Sequence, residues 1–315
     1  MPEDPIAFAL RQRDVLVLDG AMGTELERRR ETISDALWSA RLLVDAPERI
    51  GEIHRDYLAA GADVIVTASY QASLEGFVAR GLSADAARQA MRRSAELALA
   101  ERDAFWDGLD PAARDLRLRP LVAGGIGPFG AALADGSEFR GDYPMDPARL
   151  GDFHRPRIEA LLAGGVDLLA LETFPSAAEA KVVVDLLKRD FPHASAWVSF
   201  SARDCDRISD GTKIEAAAEA VADRACVAAV GVNCTAPEHI GELVRRIATV
   251  TDKPVVVYPN SGGKWDHAIH GWRDGAEHPP LAKLAPAWRA AGARLIGGCC
   301  RTSPADIAAL REVVG

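Results

Sequence analysis

The strongest constraint on this chain is a rhythm: a short, almost wholly apolar run followed by a helical stretch, eight times over. The apolar runs lie at 15–19, 63–67, 120–125, 167–172, 196–200, 228–233, 254–258 and 294–297. Between and after them, helix-forming stretches occupy 47–60, 83–106, 146–163, 176–189, 213–225, 237–250 and 304–314. Gly61 stands where a helix ends, and Ser83 or Asp85 where one begins. A strand that is apolar along its whole length has both faces buried, and helices between such strands imply parallel pairing. Eight such units close into a ring, so the expectation is α/β, a single (β/α)8 barrel spanning 1–315; this fold typically needs ~250 residues or more. A doubly wound open sheet is the alternative. It would need a nucleotide fingerprint at the first turn, and Gly20-Ala21-Met22-Gly23-Thr24 lacks both the third glycine and a helix following directly.

Composition narrows the function. A net charge of −9 with no basic block argues against nucleic acid, since nothing would neutralise phosphates. No run of ~18 apolar residues occurs, so no membrane span is expected. The N-terminus, Met1-Pro2-Glu3-Asp4-Pro5, carries acid and proline where a signal peptide needs basic residues. Five cysteines, an odd and small number, suit a reducing compartment, and the expected location is cytoplasmic.

Three of the five cysteines end apolar, glycine-bearing runs: Cys234 after Gly231-Val232-Asn233, and Cys299 with Cys300 after Gly297-Gly298. Catalytic zinc takes three protein ligands and keeps one position open, and three thiolates from two strand ends fit that description. Neighbours on a straight strand face opposite ways, so the pair needs a bend, for which Gly297 and Gly298 supply backbone freedom. Two plainer readings stand beside this one: thiols buried as apolar residues, or a strained vicinal disulfide, disfavoured under reducing conditions. For Cys205, in a polar run, and Cys226, at the end of a helix, burial as a plain apolar residue is the expectation.

Active sites of barrels lie at the C-terminal ends of the strands. Asp19 ends the first strand, Thr67 and Ser69 the second, Glu172 the fourth, Cys234 the sixth, Asn260 the seventh and the cysteine pair the eighth. Either acid alone could simply cap a loop; three thiols on the same rim make a site the better account. A zinc hydrolase would want histidine or carboxylate ligands, yet His54, His154, His193 and His239 fall on helices or loops. A non-catalytic zinc or thiol-sensing barrel would close the metal with a fourth ligand, such as Cys205 or a histidine.

The segments Asp19-Gly20-Ala21-Met22-Gly23-Thr24, Gly61-Ala62-Asp63, Thr67-Ala68-Ser69-Tyr70-Gln71, Gly127-Pro128-Phe129-Gly130, Leu171-Glu172-Thr173, Gly231-Val232-Asn233-Cys234 and Gly297-Gly298-Cys299-Cys300-Arg301 resemble the homocysteine S-methyltransferases over essentially the whole chain. The resemblance implies a (β/α)8 barrel with zinc held by Cys234, Cys299 and Cys300. The chain ends soon after the cysteine pair, without the long C-terminal arm of betaine-using members or room for folate and cobalamin modules. The segments 133–143 and 257–262 resemble the branch that uses S-methylmethionine, and often S-adenosylmethionine.

The chemistry this implies is methyl transfer from a sulfonium donor to the thiol of L-homocysteine, forming methionine, with small molecules as the partners. Glu172 is the candidate for the homocysteine ammonium, with Asp19 and Gly20 assisting and Thr67, Ser69 and Tyr70 completing the substrate-binding set. Asn233, next to a ligand, is placed to orient it. Tyr70, Phe129, Tyr258 and Trp265 are donor-site candidates, because a sulfonium cation favours aromatic faces and carboxylates. The glycine-rich loop 127–144 is a candidate lid. Asp35 is expected to take no part in the chemistry.

Overall fold

The computed structural model describes residues 4–29, 31, 38–133, 135–143, 146–266, 271–273 and 278–315. In chain order the strands are β1 (Leu16–Val17), β2 (Val64–Val66), β3 (Leu121–Ile126), β4 (Leu168–Phe174), β5 (Ala196–Phe200), β6 (Val227–Asn233), β7 (Val255–Tyr258), an antiparallel pair β8 (Lys264–Asp266) and β9 (Gly271–Arg273), and β10 (Ala293–Ile296). Eight of them form one parallel sheet in the order β1-β10-β7-β6-β5-β4-β3-β2. The two ends of that order meet: Leu18 bridges Val64, Asp19 N–H donates to Val64 O at 3.0 Å, and Asp63 N–H donates to Val17 O at 2.7 Å. The sheet is thus a ring, and the helices between its strands make it the (β/α)8 barrel that the alternation predicts.

Each strand divides its apolar residues between two cores, as a period of two requires. Leu16, Val64, Ala123, Leu168, Ala170, Trp197, Ala229, Val256 and Leu295 point into the barrel; Val17, Ile65, Val122, Leu169, Val198, Val230, Val257 and Ile296 pack outward against the helices. A helix not anticipated from the sequence, Pro5–Leu10, adds Ile6 and Ala9 to the interior cluster and is capped by the Asp4 carboxylate. At the N-terminal ends of the strands a Gly-x-Asp pattern occurs twice. Gly61 and Gly165 turn the chain at φ 107° and 91°, and the acid that follows reaches the neighbouring strand. Asp63 Oδ2 accepts from Val17 N–H at 2.9 Å and from Arg311 at 2.6 Å, and Asp167 Oδ2 accepts from Val122 N–H at 2.7 Å and from Arg102 at 3.2 Å.

Three sequence readings need correction. The helix Met22–Arg28 does follow Gly20-Ala21 directly, and its N-cap Ala21 makes no side-chain bond, so nothing local marked its start. What excludes the open sheet is ring closure, not the lack of that helix. The pair β8/β9 interrupts the expected step from the seventh barrel strand to the next helix. The loop 127–144 also contains a short helix, Phe129–Leu133, and a tight turn, Ser137–Phe139, within its described part. No helix among the described residues is long and apolar enough to cross a membrane.

Candidate metal centre

Cys234 leaves the end of β6 and the pair Cys299-Cys300 leaves β10, with β7 between them. The sulfurs nevertheless converge. Cys234 Sγ lies 3.8 Å from Cys300 Sγ, which lies 4.0 Å from Cys299 Sγ, and all three fall within 4.8 Å of one another. A tetrahedral zinc with bonds of about 2.3 Å spreads its sulfur ligands about 3.8 Å apart. The spacing and the all-thiol donor set therefore fit that ion. Among the described residues no histidine, carboxylate or further thiol joins the cluster. All three cysteines are partly exposed and open to a ligand. Hydrogen bonds from Cys234 and then Cys300 hold the Cys299 thiol well below the usual thiol range.

The bend that brings Cys299 and Cys300 together arises otherwise than the sequence suggested. Gly297 and Gly298 are not in the left-handed region; that conformation falls on Cys234 at φ 48° and Arg301 at φ 69°. The glycines are needed for close approach: a Cβ at Gly297 would sit 2.6 Å from Leu18 Cβ, and one at Gly298 would sit 2.5 Å from the Thr302 methyl. The turn is held from three sides. Gly298 N–H donates to Asp19 O (3.2 Å), Cys299 N–H to Pro259 O (2.7 Å), and Thr302 Oγ1–H to Cys299 O (2.6 Å).

Asn233 is buried beside this turn. Its Oδ1 accepts from Thr173 N–H at 2.7 Å and Ser199 Oγ–H at 2.9 Å, and its Nδ2 donates to Thr173 Oγ1 at 2.7 Å; the amide also lies near enough to help lower the Cys299 pKa. Thr173 adopts φ 62°, rare for a β-branched residue, at the end of a fully buried strand.

The acids named from the sequence lie around the thiols. Asp19 is buried; its Oδ2 accepts from Val66 N–H at 2.8 Å, and burial pushes its pKa up to about 8. Glu172 is also buried and is pushed well above the carboxylate range, first by burial and then by Cys299 and Asp19. Tyr258 donates to Glu172 Oε2 at 3.4 Å, and Trp197 Nε1–H donates to the Tyr258 oxygen at 3.0 Å. Sequence reasoning gave no role to Glu138, which joins the same site: Tyr70 O–H donates to its Oε2 at 3.1 Å, and burial raises its pKa to about 7. Three carboxyl groups with raised pKa values, Asp19, Glu138 and Glu172, thus gather at the mouth of the barrel.

The remaining candidates are distributed as follows. Thr67 Oγ1 and Ser69 Oγ lie 2.7 Å apart, and both bond the Gly125 backbone, tying the exit of β2 to β3. Gly20 packs against Thr302 and Tyr57, with no room for a side chain. Phe129 stacks edge-on with Phe153 and Tyr143 in a separate apolar cluster. Asn260 is buried with its Oδ1 unpaired, and its neighbour Ser261 donates N–H to Cys300 O at 2.9 Å. The Trp265 side chain and Asp35 lie outside the described residues. Cys226 is buried as expected, but Cys205 is exposed, since the Asp204 carboxylate folds its segment into a surface turn. His54 and His154 are buried within helices, outside the thiol cluster.

Comparison with known proteins adds to this geometry. A family model described as homocysteine S-methyltransferase matches residues 16–314. Homocysteine S-methyltransferase from Escherichia coli (strain K12) is 48% identical over 309 residues, covering 98% of each chain. Homocysteine S-methyltransferase YbgG from Bacillus subtilis (strain 168) is 47% identical over 304 residues, covering 96% of each. The crystal structure of the homocysteine methyltransferase MmuM from Escherichia coli, in its metallated form, superposes with a TM-score of 0.87 at 46% identity, covering 98% of this chain and 99% of that one.

Proposed function

Because the chain belongs to the homocysteine S-methyltransferase family, we propose that it uses zinc and a sulfonium donor, S-methylmethionine in the first place, to methylate homocysteine to methionine. The observation that supports the zinc reading is the convergence of Cys234, Cys299 and Cys300, with sulfur separations of 3.8 and 4.0 Å and no fourth ligand among the described residues. Bound there, zinc supplies a position that holds the acceptor sulfur as thiolate at neutral pH, where a free thiol of pKa ~8.5 is only a few per cent ionised.

The chain's own residues do the rest. Glu172, steadied by Tyr258, faces the acceptor's ammonium, with Asp19 beside the turn that carries Cys299. Fixing that ammonium aims the sulfur and removes the entropy of finding its orientation. Asn233 holds Cys299 from behind. A lone pair on the acceptor sulfur forms the new S–CH3 bond as the donor's S–CH3 bond breaks. The bonding electrons stay with the donor sulfur, which leaves as a neutral thioether. No proton moves in this step, so no general base is required. The carboxyl groups at the mouth of the barrel, which a cation beside them would ionise, favour a positively charged donor. A cytoplasmic setting, and one domain over residues 1–315, are part of the same reading, since three cysteines kept as ligands need reducing conditions.

The test is methionine formation from homocysteine by zinc-loaded protein, with S-methylmethionine, S-adenosylmethionine and betaine supplied separately and Cys299→Ser as control. Turnover with a sulfonium donor that disappears in the control supports the reading. Turnover with betaine alone would overturn the donor assignment, and no turnover despite stoichiometric zinc would overturn the catalytic role.

A further inference from the structure

Two hydrogen bonds lie between the thiol cluster and the loop that follows β3: Asn233 Nδ2 donates to Thr173 Oγ1 at 2.7 Å, and Tyr70 O–H donates to Glu138 Oε2 at 3.1 Å. Glu138 accepts from Tyr70 while burial raises its pKa to about 7, so a cation beside it would favour its anionic form. It is also held in place. Gly136 turns at φ 80°, Ser137 N–H donates to Asp135 Oδ1 at 2.9 Å, Gly141 N–H donates to Ser137 O at 2.8 Å, and Tyr143, further along the loop, donates to the buried Glu179. Arg157 fastens the other side, donating to Gly127 O at 2.6 Å and to Tyr70 O at 2.7 Å.

Among the described residues Glu138 has no counter-charge: Arg157 acts on Glu172, whereas Cys299 and Asp135 raise the pKa of Glu138. No described lysine, arginine or histidine forms an ion pair with it; Arg140, in the same loop, pairs with Asp142. A carboxylate fixed among like charges is costly unless a cation completes it. Glu138 is partly exposed, so a ligand can reach it, and its Oε1 takes no bond from a described residue. The methyl-transfer reading brings cations to this mouth on both substrates. Glu172 and Asp19 lie on the β1 and β4 side for the acceptor, which leaves Glu138 for the other reactant.

We propose that Glu138 is the anionic group that receives the positively charged sulfur of the methyl donor, with Tyr70 as its positioning residue; this rests on the function proposed above. It accounts for the Tyr70–Glu138 bond at the mouth of the barrel. A brace of the loop would need Tyr70 and Glu138 in contact, but not a carboxylate that has no partner of opposite charge among the described residues.

The experiment compares zinc-loaded wild type with Glu138→Gln, Glu138→Asp and Tyr70→Phe. Kinetics with both substrates are combined with equilibrium binding of S-methylmethionine and of its neutral thioether, methionine. The expected result for Glu138→Gln is a fall of about 100-fold in kcat/KM for the sulfonium donor, with the KM for homocysteine within about twofold of wild type. The binding preference for sulfonium over thioether should collapse by a similar factor. Glu138→Asp should recover part of both, and Tyr70→Phe should lose about tenfold in the same direction. A raised homocysteine KM with the donor unaffected would overturn the proposal in favour of the acceptor. Unchanged sulfonium discrimination, whatever happens to overall rate or melting temperature, would reduce Glu138 to a brace and overturn it too. If wild type forms no methionine from any sulfonium donor, the function reading fails, and the binding ratio still decides the role of Glu138.

Discussion

Asn233 and Thr173 are joined twice, Oδ1 accepting from the Thr173 N–H and Nδ2 donating to Thr173 Oγ1, each at 2.7 Å. This pairing locks the end of β4 to the end of β6 and holds a threonine at φ 62°, where a β-branched residue persists only if its surroundings compel it. The same amide helps lower the Cys299 pKa, so a backbone constraint and the thiol cluster meet at one side chain.

Replacing Asn233 by Ala leaves a buried N–H unpaired and a ligand unsupported. Expected are a stability loss of about 2–4 kcal/mol and zinc binding weaker by about 10- to 100-fold. Urea unfolding and zinc titration against a competing chelator measure the two. Unchanged zinc affinity would remove Asn233 from the support of the site.

Gly231→Ala should not give a native barrel. Its Cβ would lie 1.7 Å from Val256 O, on the neighbouring strand, and neither backbone can retreat without breaking the ladder around β6 and β7. A loss of more than about 4 kcal/mol is expected, read as insoluble protein or a lost thermal transition. A soluble variant with a normal melting curve would show that the ring is looser than its ladder implies.

Asp63→Ala separates stability from chemistry. It orphans the Val17 N–H and the Arg311 guanidinium at the N-terminal end of the barrel, away from the thiols. A loss of about 2–4 kcal/mol is expected with both Michaelis constants unchanged in the folded fraction. A change in either constant would mean that the two ends of the barrel are coupled.

His54 predicts a pH dependence of stability. It is fully buried with both ring nitrogens unpaired, and burial lowers its pKa to about 4, against about 6.5 in an unfolded chain. The unfolded chain binds a proton that the native state excludes. Stability is therefore whole above pH 6.5 and declines as the pH falls towards 4, by about 3 kcal/mol in all. In denaturant melts, the difference between wild type and His54→Leu should be constant above pH 7 and shift steadily below 6.5. A difference independent of pH would show that the imidazole is solvated.

The barrel was legible because each strand has to fill two cores at once, which leaves unbroken apolar runs such as 168–171 and 255–257. The thiols were legible because two strand ends on one rim, each closing in cysteine, bring their sulfurs within reach of a single ion. The helix Met22–Arg28 was not, since its start carries no capping side chain, and neither was the β8/β9 hairpin, which lies outside the strand–helix period. The bend at the cysteine pair was assigned to glycine flexibility, although the left-handed residues are Cys234 and Arg301 and the glycines serve close packing. Glu138 went unassigned because its meaning lies in a partner at position 70. Contacts between distant segments leave no trace in local spacing.

The last barrel strand, β10, docks between β1 and β7, and two of the three sulfurs follow it by only a few residues. A nascent chain that has emerged through β7 already owns Cys234 but has nothing to pair with it. Nor does a chain whose ring has failed to shut, because the turn carrying Cys299 is pinned to Asp19 O and Pro259 O, on the strands that flank β10. On the zinc reading proposed above, metal capture would act as an inspection stamp on assembly: the ion would be retained only by a molecule whose first and last strands have found each other.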